Sequence, residues 1–238
     1  MGLFDFFSPS EEAQLKKHVK RMKNLNAQPE ERQMSAHWLS ENGSDAAIIG
    51  LLARFGLNYE QRMKDSEEKE FVYKLLLDVG DNSCEPARLW AMKNQAFAYP
   101  LMLIEKLDGE GAAIDLFLDM LGREVDPFKP EKKRQILIKL SDYRDDRITQ
   151  RVPACLKDFD EGIRYAAAEA LLAQDSDEPR ESLAEALANR EEESNRLRVR
   201  IAEAFHQRNW QLGEAKVAIG ERPPVGWTVR DERIYPEL

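Results

Sequence analysis

The sequence predicts an all-α solenoid of about five or six antiparallel helix pairs, followed by an extended C-terminal tail. Apolar residues recur at the helical spacing in successive segments of the chain. One helix–turn–helix segment recurs after about 34 residues, a period typical of helical repeats. The first four helical segments do not alternate polar and apolar residues with period two, so no strand is predicted among them.

The clearest helix pair lies between residues 148 and 171. Its first helix carries an apolar stripe at i, i+4, i+7 and i+8, and its second helix has a similar stripe. The stripes consist of Ile148, Val152, Cys155 and Leu156, and of Ile163, Ala167, Ala170 and Leu171. Because each pair leaves an apolar edge uncovered, a neighbouring pair must cover it.

The same pattern returns further along the chain. Leu197, Arg198, Ala202, Glu203, Ala204 and Phe205 correspond to Ile163, Arg164, Ala168, Glu169, Ala170 and Leu171. Leu183 and Leu187 correspond to Val152 and Leu156 of the first helix. A weaker echo near the start keeps Arg32, Ala36 and Leu39 at the spacing of Arg164, Ala168 and Leu171.

The segment 152–171 resembles a HEAT repeat of the bacterial, lyase-associated type. Pro153 in the first helix, Asp158 at the turn and Ile163-Arg164 at the start of an Ala-rich helix match that pattern. The next unit lacks the proline and has Asn189 in place of the aspartate, and the good match covers residues 146–208. The resemblance implies a right-handed solenoid used mostly for binding, with Asp158 and Arg164 bracing adjacent repeats.

Helix boundaries in the first half follow from capping residues and helix breakers. Helices are predicted to begin near Ser10, Pro29, Ser44, Asp65 and Glu85, and Gly43 and Gly80 end two of them. The helix from Glu85 is expected to turn Leu89, Met92, Ala96 and Phe97 inward and to kink or end at Pro100. Further stripes cover residues 113–121 and 136–143.

These signals divide the chain into five segments. They are an apolar N-terminal cap (1–10), N-terminal helical repeats (11–122), an irregular joint (123–130), C-terminal HEAT-like repeats (131–219) and an extended tail (220–238). We expect Phe4, Phe6 and Phe7 to cap the open end of the first helix pair; contact of Met1–Phe7 with a membrane surface or a partner pocket is the alternative. The tail carries Trp227, Val229, Ile234 and Tyr235 and is expected to lie over the final helices, or else to act as a recognition motif.

The net charge of −9 argues against general affinity for nucleic acid, which needs cationic surface to replace counterions. The segment 129–151 is nevertheless basic, with Lys132, Lys133, Arg134, Lys139, Arg147 and Arg151. A DNA-binding or base-excision protein similar to the HEAT-like alkylpurine glycosylases, using this segment and an aromatic residue such as Trp90, is therefore one alternative. A bilin-lyase-like accessory protein is another, although no lyase motif is present.

No pattern of metal, cofactor or nucleophile chemistry is evident. His18, His37 and His206 are far apart and none is followed by Glu, unlike the His-Glu dipeptides of the HEAT-like deoxyhypusine hydroxylases. Phosphate-binding loops and Cys-x-x-Cys pairs are absent from the sequence. Cys84 and Cys155 are predicted to be buried, reduced thiols, which favours the cytoplasm. No run of apolar residues is long enough to span a membrane, and no cofactor is predicted.

The function that we predict is a non-enzymatic scaffold or adaptor that binds another protein. If the second helices of the pairs line one face, as in HEAT-like repeats, the candidate contact residues are Tyr165, Glu169, Arg198, Arg200 and Glu203. We favour partner contact for Tyr165 and Arg200, and bracing for Arg164.

Overall fold

The computed structural model of the protein describes residues 10–123 and 130–237. Most of these residues form α-helices packed against one another, and one small antiparallel sheet is present, so the predicted all-α class is confirmed. The chain divides into two compact units, Met1–Leu116 and Phe117–Leu238.

The first unit is built from three helix pairs. Its helices are α1 (Glu11–Met22), α2 (Pro29–Asn42), α3 (Asp45–Leu52), α4 (Arg62–Val79), α5 (Cys84–Lys93) and α6 (Ala98–Asp108), while α7 (Glu110–Arg123) spans the division between the units. Helix α1 packs on α2, α3 on α4, and α5 on α6. The odd-numbered helices α1, α3 and α5 also pack side by side, and so do α2, α4 and α6. The unit therefore has two layers of alternating helices.

The second unit has its own alternation of elements in two layers. Its elements are α8 (Pro130–Leu140), α9 (Asp146–Arg151), α10 (Glu161–Leu172), α11 (Arg180–Ala188), α12 (Asn195–Gln207), α13 (Lys216–Glu221), β1 (Trp227–Arg230) and β2 (Arg233–Pro236). A 3₁₀ segment, Val152–Lys157, extends α9. Helices α8, α10 and α12 follow one another in one layer, and the 3₁₀ segment, α11 and α13 form the other.

Local chemistry explains several of the boundaries. Ser10, Ser44, Asp160 and Ser194 each accept a hydrogen bond from a backbone N–H of the first turn of a helix, which satisfies a donor that has no partner inside the helix. Gly43 ends α2 with a φ of 63°, a left-handed conformation that glycine adopts without a steric cost. Pro153 has no N–H, and the chain around it continues as a 3₁₀ segment rather than an α-helix.

Two predicted helices differ from the structure. Helix α4 begins at Arg62 rather than at Asp65, whose carboxylate instead accepts a hydrogen bond from the backbone N–H of Tyr59. The long helix expected from Glu85 ends at Lys93, and α6 carries Pro100 in its first turn, where a missing N–H costs little. Leu89 was expected to face inward but is 45% exposed, because the neighbouring Trp90 fills the core at 8% exposure.

The C-terminal tail is a β-hairpin, a feature that the prediction of an extended tail did not include. Strands β1 and β2 pair antiparallel with Val229 opposite Ile234. Strand β2 packs on α12, and β1 packs on α13. The side chains of Trp227 and Ile234 are buried, so the hairpin takes the place next to α12 that a further helix of that layer would occupy.

Some predictions fall on parts of the chain that the structure does not describe. Residues 1–9 of the predicted N-terminal cap and residues 124–129 of the predicted joint lie outside the described residues. Between residues 10 and 123 and between 130 and 237, no helix is both long enough and apolar enough to cross a membrane.

Candidate interaction surfaces

The predicted contact residues Tyr165, Glu169 and Arg200 lie along a ridge where α10 and α12 pack side by side. The Arg196 guanidinium lies 3.7 Å from the centroid of the Tyr165 ring, a cation–π geometry. One helical turn further, Arg200 Nε donates to Glu169 Oε1 at 2.6 Å. We call this set of four residues the α10–α12 ridge.

Electrostatics hold the ridge in a defined arrangement. Burial alone would lower the pKa of Arg200, but the hydrogen bond and negative charge of Glu169 outweigh it and raise that pKa. Arg200 therefore stays charged and is held by Glu169. Tyr165 and Glu169 are half-buried, Arg196 is exposed, and Glu203 is half-buried one turn beyond Arg200. The ridge thus presents an aromatic ring and a preoriented guanidinium to solvent.

Arg198 does not belong to this surface, contrary to the prediction. Its side chain is only 6% exposed, and its guanidinium donates a hydrogen bond to the backbone carbonyl of Arg222. The 34-residue correspondence with Arg164 predicted the position of Arg198 within its helix. The residues that lead into the tail, however, cover this position.

The predicted brace between Arg164 and Asp158 is not a carboxylate pair, because the carboxylate that Arg164 contacts belongs to Glu192. Arg164 Nε and Nη2 donate to the two carboxylate oxygens of Glu192 at 2.6 and 2.9 Å. Arg164 Nη1 donates to the backbone carbonyls of Asp158 and Phe159, both at 2.9 Å. The Asp158 carboxylate instead accepts from Lys133 Nζ at 2.5 Å. Arg164 therefore contacts Asp158 through the backbone carbonyl of that residue and pairs with the carboxylate of Glu192.

Arg32 makes the corresponding arrangement in the first unit. Its Nε donates to Glu68 Oε1 at 2.7 Å, and its Nη1 donates to the backbone carbonyls of Leu25 and Ala27. As with Arg164, one guanidinium joins the preceding loop to a glutamate that lies further along the chain. The weak sequence similarity around residues 32 and 164 thus corresponds to the same set of hydrogen bonds from an arginine.

The basic segment 129–151 contributes few free cations to the surface. Lys132 is only 2% exposed, Lys133 pairs with Asp158, and Arg147 pairs with Asp145 at 2.7 Å. Lys139 pairs with Asp142 at 3.2 Å. Arg134 and Arg151 are exposed, and Arg144, also exposed, lies 3.8 Å from Asp175. Trp90, the aromatic residue considered for lesion recognition, is buried in the first unit.

The first unit also holds a cavity of about 570 Å³ between α2, α4 and the loops that precede them. The Tyr59 ring lies against it and is flanked by the guanidiniums of Arg32 and Arg54, at 5.1 and 4.9 Å from the ring centroid. Burial, followed by the nearby charge of Glu68, raises the pKa of Tyr59. Arg54 pairs with Asp65 at 2.8 Å, so this wall is an ion network within the fold.

Arg196 and Glu192 are not among the site residues predicted from the sequence. The spacing of the residues could have indicated Arg196. Tyr165 and Glu169 are four residues apart on α10, and Arg196 and Arg200 are four residues apart on α12, so each pair lies on one helix face. The two faces contact each other across the ridge. Glu192 lies in a turn, where helical periodicity gives no orientation.

Neither a protein-family model nor a curated protein sequence matched the chain in our comparisons. Within the described ranges, no three His, Cys, Asp or Glu side chains are placed to hold a metal ion.

Proposed function

We propose that this protein is a cytoplasmic, HEAT-like helical-repeat scaffold that binds another protein through the α10–α12 ridge. The observation that carries the proposal is the alternation of helices in two layers within each unit. In such a stack each helix pair contacts mainly its neighbours, and one face of each layer remains available to a partner.

Side-chain contacts between successive helix pairs support the repeat assignment. Arg32 pairs with Glu68, Arg164 with Glu192 and Glu169 with Arg200, at sequence separations of 36, 28 and 31 residues. These separations are close to the 34-residue recurrence in the sequence, as expected when adjacent repeats lie side by side and contact each other at neighbouring positions.

The composition of the ridge supports a role in protein binding. Tyrosine and arginine are enriched among the residues that contribute most to protein–protein affinity. Arg200 is already oriented by Glu169, so a partner carboxylate or carbonyl would bind it with a smaller loss of side-chain entropy. Cys84 and Cys155 are buried free thiols, which supports the proposed reducing compartment.

No specific observation favours the two alternatives. Most cations of segment 129–151 are buried or paired with carboxylates, so the potential available for DNA phosphates is smaller than the sequence suggested. The bilin-lyase-like alternative gains no supporting contact. We therefore propose the scaffold function alone.

The test is affinity capture by the full-length protein from extracts of its native cell, followed by cross-link mapping. Tyr165→Ser and Arg196→Ser remove the cation–π pair, and Arg180→Ser is the matched control because Arg180 is an exposed arginine on α11, in the other layer. We expect at least one protein to be captured by the wild type and the control, to be lost with both ridge variants, and to cross-link to α10 or α12. Absence of any ridge-dependent partner would refute the proposal.

A further inference from the structure

A groove of about 820 Å³ runs along one flank of α1 in the first unit. Leu15 and Val19 of α1 and Ala46 of α3 line its apolar part. Leu15 and Val19 are half-buried and Ala46 is exposed, so each still offers apolar surface. Ile49, at i+3 from Ala46 on α3, is 42% exposed.

Lysines form the rim of this groove. Lys16, Lys20 and Lys23 lie on the same flank of α1 at spacings of four and three residues, and all three are exposed. Lys16 pairs with Glu12 at 2.5 Å. Over residues 10–123 and 130–237, neither Lys20 nor Lys23 has a carboxylate partner. As far as the described residues go, the groove thus combines an apolar floor with two positive charges that no carboxylate compensates.

Close packing of α1 on α3 fixes the floor. A Cβ atom added at Gly50 of α3 would lie 2.6 Å from Val19 Cγ2, which is closer than atoms can approach. The absence of a side chain at Gly50 therefore leaves room for Val19 and lets α1 pack close to α3. A groove with a fixed floor can bind a partner without first becoming ordered.

From these observations we infer that the groove binds an acidic amphipathic helix of a partner protein. From Glu12 to Met22 the groove follows α1 for about 15 Å, which corresponds to roughly three helical turns, and Lys23 and Asn24 line it just beyond the end of the helix. Apolar side chains of a partner helix, spaced i, i+4 and i+7, would lie over Leu15, Val19 and Ala46, and its flanking carboxylates would meet Lys20 and Lys23. The inference rests on the proposed scaffold function and adds the chemistry of one partner.

The shape and charge of the groove disfavour other occupants. A membrane surface requires apolar side chains that project beyond the cationic ones, whereas Leu15 and Val19 are half-buried while the lysines are exposed. The chain's own residues 1–9 contain a single carboxylate, Asp5, which is poorly matched to a rim of lysines.

The inference is tested with a fluorescein-labelled synthetic helix of about 20 residues, carrying leucines at i, i+4, i+7 and i+11 and glutamates beside them. Fluorescence anisotropy with the full-length protein should show saturable binding, with a dissociation constant on the order of 1–100 μM that rises with salt. We expect K20E and K23E together to weaken binding by at least about tenfold, and A46E to do the same, because each places a carboxylate in the groove. K17E is the matched control, since Lys17 is exposed but does not line the groove; its effect should be less than about twofold.

Several results would overturn the inference. They are no saturable binding, equal weakening by K17E, equal binding of a probe with lysines in place of glutamates, and tighter, Lys20-dependent binding to vesicles of anionic lipid than to the probe. Binding only after Phe4, Phe6 and Phe7 are replaced by serine would assign the groove to the chain's own N-terminus. Self-association abolished by K20E would assign it to a second copy. The ridge variants Tyr165→Ser and Arg196→Ser should leave probe binding unchanged, so failure of the groove and failure of the scaffold function are measured separately.

Discussion

The bracing role of the Arg164–Glu192 pair is tested by Glu192→Gln, which keeps the shape of the side chain and removes its charge. The Glu192 side chain is 3% exposed and accepts two hydrogen bonds from Arg164, whose side chain is 16% exposed. Breaking a buried ion pair from one side costs about 3–5 kcal/mol. Because Arg164 keeps its bonds to the carbonyls of Asp158 and Phe159, we expect a loss of about 2–4 kcal/mol.

The assay combines urea unfolding with hydrogen exchange. At about 2–4 °C per kcal/mol for a chain of this size, the expected loss also lowers the melting temperature by roughly 5–15 °C. Peptides from α10 and α12 should lose exchange protection more than peptides from the first unit, because the pair joins elements of the second unit.

A matched control separates this pair from ordinary surface charge. Glu185 lies 3.8 Å from Lys157, and the two side chains are 62% and 78% exposed. Glu185→Gln makes the same chemical change at a solvated pair, so we expect an effect of about 0.5 kcal/mol or less. Equal effects of the two substitutions, or a double-mutant cycle of Arg164→Gln with Glu192→Gln that shows no coupling, would refute the bracing role.

The pH dependence provides a second readout of the same pair. Burial alone would raise the pKa of Glu192, but the hydrogen bonds from Arg164 and from the Ser194 N–H outweigh it and hold that pKa below the usual range of a glutamate. The unfolded chain therefore takes up a proton before the folded one does as the pH falls, and the stability from Glu192 is present above about pH 4.5 and lost below it. Glu192→Gln should flatten this acid-side decline.

Three further predictions address other elements. Arg200→Glu places two carboxylates where Arg200 now bonds Glu169 at 2.6 Å and should cost up to about 1 kcal/mol; thermal scans should show recovery when Glu169→Arg is added, and no recovery would contradict the pairing. Glu232 adopts φ 69° in the hairpin turn, so Glu232→Gly should stabilise the hairpin by up to about 1 kcal/mol; lower exchange protection of β1 would contradict this. Burial and two neighbouring cations lower the pKa of His18, so stability should fall as the pH drops below about 6.5, and His18→Gln should reduce that slope in melting experiments.

The presence of the helices and the residues that cap them could be predicted from the sequence because both depend on local chemistry. Pro29 and Gly43 mark the ends of α2 as expected. The proline ring fixes a helical φ in the first turn, and the left-handed conformation of Gly43 ends the last turn, so both effects are local. The inward face of α5 could not be predicted in the same way. Leu89 and Trp90 are adjacent, and only the packing of α3 against α5 decides that the larger ring takes the core position.

Candidate surface residues were less predictable because burial of the last helices of the second unit depends on residues that are distant in sequence. Arg200 and Arg198 lie on one helix, yet the first remains at the surface and the second is covered by backbone that lies 24 residues further on. Helical spacing describes the faces of α12 but contains no information about what covers them. A run of charged residues in the sequence likewise does not show which of its side chains reach the surface. Lys132 is buried and Arg134 is exposed, although both belong to one basic segment.

The recurring arginine at the start of the second helix of a pair shows what the sequence period does encode. Arg32 and Arg164 both bind carbonyls of the preceding loop and a glutamate further along the chain. Arg198 occupies the same helix position, but the next part of the chain is the tail, and the carbonyl of Arg222 takes the place of the glutamate. The period therefore specifies a donor that points toward the following segment, while the acceptor depends on what that segment is. The tail, with its hairpin on α12, supplies at this end the contact that a further helix pair supplies elsewhere.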